Sequence, residues 1–153
     1  MNAVSIRSAT VKDIEHIISL ISANKSVLIP HAHSVYWSFI NFYPAMNVVA
    51  EKDGEIIGWC GGIKPDNAAG FIWQIFVSED HRRKGLAAQM VQKVMSDNYA
   101  DGVKVMQLAI ARDNEPSINL FSKLAAAHGK TIRKTEENKF LLETYNEDLY
   151  EIV

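Results

Sequence analysis

The stretch Phe71-Ile72-Trp73-Gln74-Ile75-Phe76-Val77-Ser78-Glu79-Asp80-His81-Arg82-Arg83-Lys84-Gly85-Leu86-Ala87-Ala88 decides how this chain reads. Residues 71–77 are an almost unbroken apolar and aromatic run, the pattern of a strand buried on both faces. A short polar loop follows. Past Gly85, Leu86, Met90, Val91, Val94 and Met95 share one helical face, which predicts a helix over 85–97. A strand that enters a helix through such a turn aims backbone N–H groups and the positive helix end at one point. A pyrophosphate fits that point. Gly85 removes the side chain that would block close approach. Ala87 keeps the first helical turn small. His81, Arg82, Arg83 and Lys84 add positive potential. A solvated basic loop with an ordinary turn glycine has the same residues, so the segment alone leaves both readings open. The spacing is neither that of a Walker loop nor that of the dinucleotide glycine motif.

The flanks complete an α/β pattern. Val4 to Ser8 predicts a strand. Thr10-Val11-Lys12-Asp13 has capping-box spacing, and Ile14, Ile17, Ile18 and Ile21 extend a helix over 11–23. Residues 33–43 predict a second helix that ends before Pro44. Asp53-Gly54 between two apolar runs, 47–52 and 55–63, predicts a hairpin. A turn-rich loop covers 65–70, and a strand covers 103–111. Pro116 suits the first turn of a helix running to Ala127, and Gly129 ends it. Two strands near 130–135 and 139–152 close the chain. The order β-α-α-β-β-β-α-β-α-β-β implies a mixed sheet with helices on both faces, not a TIM barrel or a regular Rossmann alternation.

Composition removes several classes of function. The 153 residues suit a single domain spanning 1–153. Lys plus Arg number 16 and Asp plus Glu 18, a net charge of −2, which argues against a dedicated nucleic-acid binder. The single cysteine, Cys60, can form neither an internal disulfide nor a cysteine metal cluster. It reads as a small buried hydrophobe. No metal site is expected. No apolar run is long enough for a membrane span, and residues 1–7 lack a signal-peptide core. A cytoplasmic protein without membrane contact is the expectation.

Arg82-Arg83-Lys84-Gly85-Leu86-Ala87 resembles the Gln/Arg-x-x-Gly-x-Gly/Ala signature of the GNAT acetyltransferases, between that family's fourth strand and third helix. Asn114-Glu115-Pro116-Ser117-Ile118-Asn119-Leu120-Phe121 resembles its Asn-x-x-Ala/Ser-x-x-Leu-Tyr/Phe motif before the fourth helix. The resemblance spans the chain and implies the GNAT fold, with a mostly antiparallel sheet. It implies acetyl-coenzyme A as donor. The fourth strand would splay from the fifth, and the pantetheine arm would bond the backbone of Ile75, Phe76 and Val77. The pyrophosphate would sit on the amides of residues 83–88, with Arg82 beside it. Asn114 would contact the arm, or serve only as a helix cap. Phe121 stands where many members carry a tyrosine acid.

A narrower resemblance is to the diaminobutyrate acetyltransferases of ectoine biosynthesis. Phe71 to Ile75, Leu120-Phe121-Ser122-Lys123-Leu124-Ala125 and Glu147-Asp148-Leu149-Tyr150-Glu151-Ile152 carry it. This chain departs from that group at Gln107, where a glutamate stands, and at Ile29-Pro30-His31, where an aspartate occurs.

The reaction needs a base for the ammonium, a donor to the thioester carbonyl and a fate for the thiolate. A backbone N–H at Ile75 or Phe76 would polarise the carbonyl. His31, His33 and Gln107 are the candidate catalytic side chains. Tyr36, Trp37, Trp73 and Gln74 are candidate walls for a small-molecule amine, although core packing explains aromatic residues equally well. Alternatives are a catalytically weak coenzyme A-binding regulator and a protein-modifying acetyltransferase. Association into a homodimer is left open.

Overall fold

The computed structural model describes residues 3–24, 29–135 and 146–153. Among these residues seven strands form one sheet: β1 (Ser5–Ser8), β2 (Val48–Lys52), β3 (Glu55–Ile63), β4 (Ala69–Val77), β5 (Val105–Ala111), β6 (Ile132–Lys134) and β7 (Glu147–Ile152). Their spatial order is β1-β2-β3-β4-β5-β7-β6. Among the described residues only the β4–β5 pair is parallel; the other neighbours are antiparallel. Among the described residues four helices accompany the sheet: α1 (Ile14–Ser22), α2 (His33–Phe42), α3 (Leu86–Ala100) and α4 (Glu115–Ala127). The expected element order and sheet class are found. Boundaries move slightly. Residues 11–13 form a separate 3-10 turn, β5 begins at Val105 rather than 103, and α3 runs on to Ala100. Of the expected strand over 139–152, residues 139–145 lie outside the described residues, and the remainder is β7.

The core has two parts, one on each side of the sheet. Met90, Val91, Val94 and Met95 of α3 and Phe121 and Leu124 of α4 pack on Val48, Cys60, Ile72, Leu108 and Ile110. Ile14, Ile17 and Ile21 of α1 and Tyr36 and Ile40 of α2 pack on Val49, Trp59 and Phe76. Helical periodicity on α1 and α3 thus reports burial directly. The Asp53-Gly54 turn has φ of 52° and 79°, as a two-residue hairpin loop requires. Asp13 accepts from Thr10 N–H at 2.8 Å and from both terminal nitrogens of Arg7 at 2.8 and 2.9 Å. Burial alone pushes the Asp13 carboxyl up, but the Arg7 and Thr10 hydrogen bonds outweigh it and hold it below the usual aspartate range. Its contribution to stability is therefore present above the unfolded value and is lost as pH falls.

The pairing of β3 with β4 skips one residue. Gly61 faces Gln74, whereas Gly62 faces Ile72, so Trp73 is an extra residue on β4. A β-bulge of this kind turns two consecutive side chains to one face. Trp73 packs with the α1–α2 cluster, and Gln74 on the same side accepts the Trp59 indole N–H at 3.3 Å. Ile72 and Ile75 pack on the α3–α4 side. Two glycines make room for this. A Cβ on Gly61 would stand 2.1 Å from the Trp59 indole, and one on Gly62 would stand 2.2 Å from the Phe71 carbonyl oxygen.

Among the described residues no helix is long and apolar enough to cross a membrane.

Gly61→Ala must displace the Trp59 ring, and overpacking of this kind costs about 1–3 kcal/mol. The expected result is a fall in the urea midpoint with an unchanged m value. A midpoint equal to wild type would show that the bulge does not need this glycine.

Candidate functional site

The bulge redirects β4. Parallel pairing with β5 covers only Ala69–Ile72 against Val105–Leu108. Past those residues β5 stays paired with β7 to Ala111, and β4 stays paired with β3 to Val77. The two strands part, and the space between them is a cleft of about 270 Å³. Ile72 to Ile75 form one wall and Leu108 to Ala111 the other, with Asn114, Ser117 and Phe121 of the α4 end and Glu147 of β7 completing it.

The register shows which backbone groups face the cleft. Val77 lies opposite Gly58, and the N–H of Ser78 donates to Ile57 O at 2.8 Å. That bond makes Val77–Gly58 a pair without mutual hydrogen bonds. By alternation, Phe76 bonds to Trp59, while Ile75 and Val77 turn their N–H and C=O groups away from β3 into the cleft. The Val77 carbonyl is taken by Arg82 Nε at 3.0 Å. The N–H and C=O of Ile75 and the N–H of Val77 remain for a ligand that lies along β4 as an added strand. The expectation that Phe76 also offers its backbone is corrected here. Phe76 is committed to β3, and its buried ring lies beneath the Arg82 guanidinium at 5.5 Å.

At the end of β4 the chain turns through Glu79–His81 into the loop before α3. Ser78 Oγ and His81 Nδ1 are 2.7 Å apart and brace this turn. Arg83 and Gly85 both adopt positive φ, 62° and 76°. Gly85 is the residue before α3, and no side chain caps that helix. The N–H groups of Leu86, Ala87 and Ala88 are therefore unclaimed first-turn donors. Arg82, Arg83, Lys84 and Gly85 are exposed around them, whereas the Leu86 side chain is buried. A Cβ on Gly85 would meet nothing nearer than Gln89 Nε2 at 4.0 Å. The glycine thus serves the left-handed conformation and leaves open space over the amides, as an anion requires.

Asn114 plays the capping role: its Oδ1 accepts Ser117 N–H at 3.2 Å. It also lines the cleft, as does Phe121. Phe121 is 4% exposed and carries no proton to give.

The acceptor-side candidates lie in different places. Trp73 lines the cleft and is surrounded by rings, with Phe39 at 4.6 Å, His31 at 4.9 Å and Tyr36 at 5.9 Å. Tyr36 is fully buried, so it supports the wall from behind. Its hydroxyl accepts the His31 backbone N–H at 3.2 Å. Burial pushes the Tyr36 phenol up, against hydrogen bonds from His31 and Gln74 that pull the other way. Trp37 does not join this group. It is 41% exposed and stacks edge-on against Phe42 at 5.6 Å. Helical geometry explains this, because Trp37 lies about 100° around α2 from Tyr36. His33 is exposed at the start of α2. Gln107 stands opposite Phe71 and Glu151 in the sheet and does not line the cleft.

Two residues escaped the sequence reading. Phe39 lies three residues from Tyr36 and so shares its side of the helix; that spacing was available as a signal. Glu147 is the one ionisable residue among the described residues lining the cleft. It reaches there because it pairs with Ala111, a long-range register with no local trace. Cys60 is fully buried, and burial pushes its thiol up to about 12, which excludes it as a nucleophile.

Comparisons with known proteins show the family and the fold. Residues 14–126 match the family model described as the acetyltransferase (GNAT) family. The chain is 30% identical over 137 residues to L-2,4-diaminobutyric acid acetyltransferase from Nocardia farcinica, covering 86% of this chain and 71% of that one. It is 26% identical over 149 residues to the enzyme of the same name from Halalkalibacterium halodurans, covering 96% and 74%. Its fold is shared with the structure of diaminobutyrate acetyltransferase from Paenibacillus lautus in complex with L-2,4-diaminobutyric acid and coenzyme A. There the TM-score is 0.86 at 22% identity, over 99% of this chain and 95% of the other.

Gly85→Val should fold, with a loss of roughly 1–2 kcal/mol from the left-handed conformation. It should also lose coenzyme A binding in a titration. Affinity equal to wild type would show that the anion does not sit over residue 85.

Proposed function

The chain belongs to the GNAT acetyltransferase family, and from that premise we propose that it transfers an acetyl group from acetyl-coenzyme A to the primary amine of a small molecule, with 2,4-diaminobutyrate or a related amino acid as acceptor. The observation that carries this reading is the parting of β4 from β5 directly ahead of an uncapped helix start. A long donor with an amide-bearing arm and a pyrophosphate matches both features in sequence order. The names and extent of the relatives support the acceptor class.

The donor supplies an acetyl thioester. The Ile75 and Val77 backbones hold its arm, and the amides of Leu86 to Ala88, with Arg82, Arg83 and Lys84 around them, hold its phosphates. The Ile75 N–H is the group able to donate to the acetyl carbonyl oxygen, where charge develops during attack. An acceptor amine arrives protonated and must lose a proton before attacking. Glu147 is suited to that task and to holding the ammonium, since among the described residues lining the cleft it alone carries a carboxylate. Phe121 offers no acid, so the thiolate takes its proton from solvent; a thiolate is only weakly basic and leaves without help.

Two measurements test the proposal. Acetyl-coenzyme A at about 100 times its dissociation constant should stabilise the protein by roughly 2.7 kcal/mol and raise Tm, and free thiol should appear when 2,4-diaminobutyrate is added. A Tm shift without thiol release from any amine would favour the regulator instead. Absence of both would overturn the proposal.

Glu147→Gln should keep the donor-induced Tm shift and lower kcat/KM by about 100-fold or more, the usual scale for a lost proton acceptor. Activity within threefold of wild type would remove Glu147 from the chemistry.

A further inference from the structure

We propose that His31 reads the carboxylate of an amino-acid acceptor and so sets the specificity of this enzyme for amino acids over simple amines. The proposal rests on the acyl-transfer reading above and names the chemistry of its acceptor more closely. An amino-acid acceptor brings a carboxylate beside the amine that reacts. Burying that carboxylate without a partner is costly, so a donor must stand near the cleft. Among the described residues no lysine or arginine lines it.

Among the described residues, Arg82, Arg112, Arg133 and Lys134 already have partners. Arg82 bonds the Val77 carbonyl. Arg112 and Lys134 both pair with Asp148, at 3.3 and 3.7 Å, and Arg133 pairs with Glu151 at 3.6 Å. On the α2 side the chain carries no Asp, Glu, Lys or Arg between Lys25 and Glu51. The polar ring brought against the cleft wall is that of His31, 4.9 Å from the Trp73 ring.

Its position is held from two directions. Its backbone N–H is bound to the hydroxyl of the fully buried Tyr36, and its ring rests on Trp73 while remaining open to solvent. An imidazole keeps at least one N–H in either protonation state, so it can donate to a carboxylate throughout. Glu147 and His31 then give the acceptor site two poles, one for the ammonium and one for the carboxylate; Trp73 lines the cleft with Glu147 and meets the His31 ring.

The test compares kcat/KM for amino acids and their decarboxylated counterparts: 2,4-diaminobutyrate against 1,3-diaminopropane, and ornithine against putrescine. Wild type should prefer the carboxylated member by at least about tenfold, the scale of one hydrogen bond to a charged group. His31→Gln should reduce that ratio, and His31→Asp should abolish or invert it by charge repulsion. Both variants should keep the acetyl-coenzyme A-induced Tm shift. Equal rates for both members of each pair in wild type would overturn the assignment. So would an unchanged ratio in His31→Asp, or a loss of turnover with both members in His31→Gln. Absence of thiol release from wild type with every amine would instead refute the acyl-transfer reading itself.

Discussion

One residue too many on β4 governs the rest of this structure. Trp73 has no partner on β3, so the strand twists at that point and cannot remain in register with both neighbours. It keeps β3 and loses β5. The cleft follows from that loss. The cleft opens at the bulge, and Ile75 and Val77 keep backbone groups for a ligand. Trp73 and Gln74 turn together toward α1 and α2. A regular strand would have paired its backbone with β5 and left an ordinary sheet.

The bulge is held by packing rather than by local preference. Gly61 and Gly62 accept the Trp59 ring and the Phe71 carbonyl, while Gln74 bonds the indole N–H in return. Asn47 adds a clamp, donating to Gly62 O at 3.0 Å and accepting from Gly62 N–H at 3.2 Å. These buried polar contacts are satisfied in one register alone. That satisfaction selects the bulged pairing over a slipped one.

The sequence made the outline legible and the bulge illegible, for one reason. Periodicity and turn chemistry are local. Ile14, Ile17 and Ile21 mark the buried side of α1, Asp53-Gly54 marks a hairpin, and Gly85 marks the start of α3. Pairing register is not local. Nothing in Phe71 to Val77 says that Trp73 is unpaired, that Phe76 spends its backbone on Trp59, or that Glu147 comes to face the cleft through Ala111. The aromatic residues of α2 show the same limit. Trp37 looks as suited to a pocket wall as Phe39, and only the rotation of the helix on the sheet sends one outward and the other against Trp73.

The central claim is that the backbone of β4 beyond the bulge is an open edge awaiting the donor. Amide hydrogen exchange by NMR tests it most directly. In the free protein the Phe76 amide should be protected by Trp59, and the Ile75 and Val77 amides should exchange faster. Saturating coenzyme A should slow Ile75 and Val77 and leave Phe76 little changed. Exchange at Ile75 and Val77 that is already slow in the free protein, or that does not respond to coenzyme A, would contradict the account.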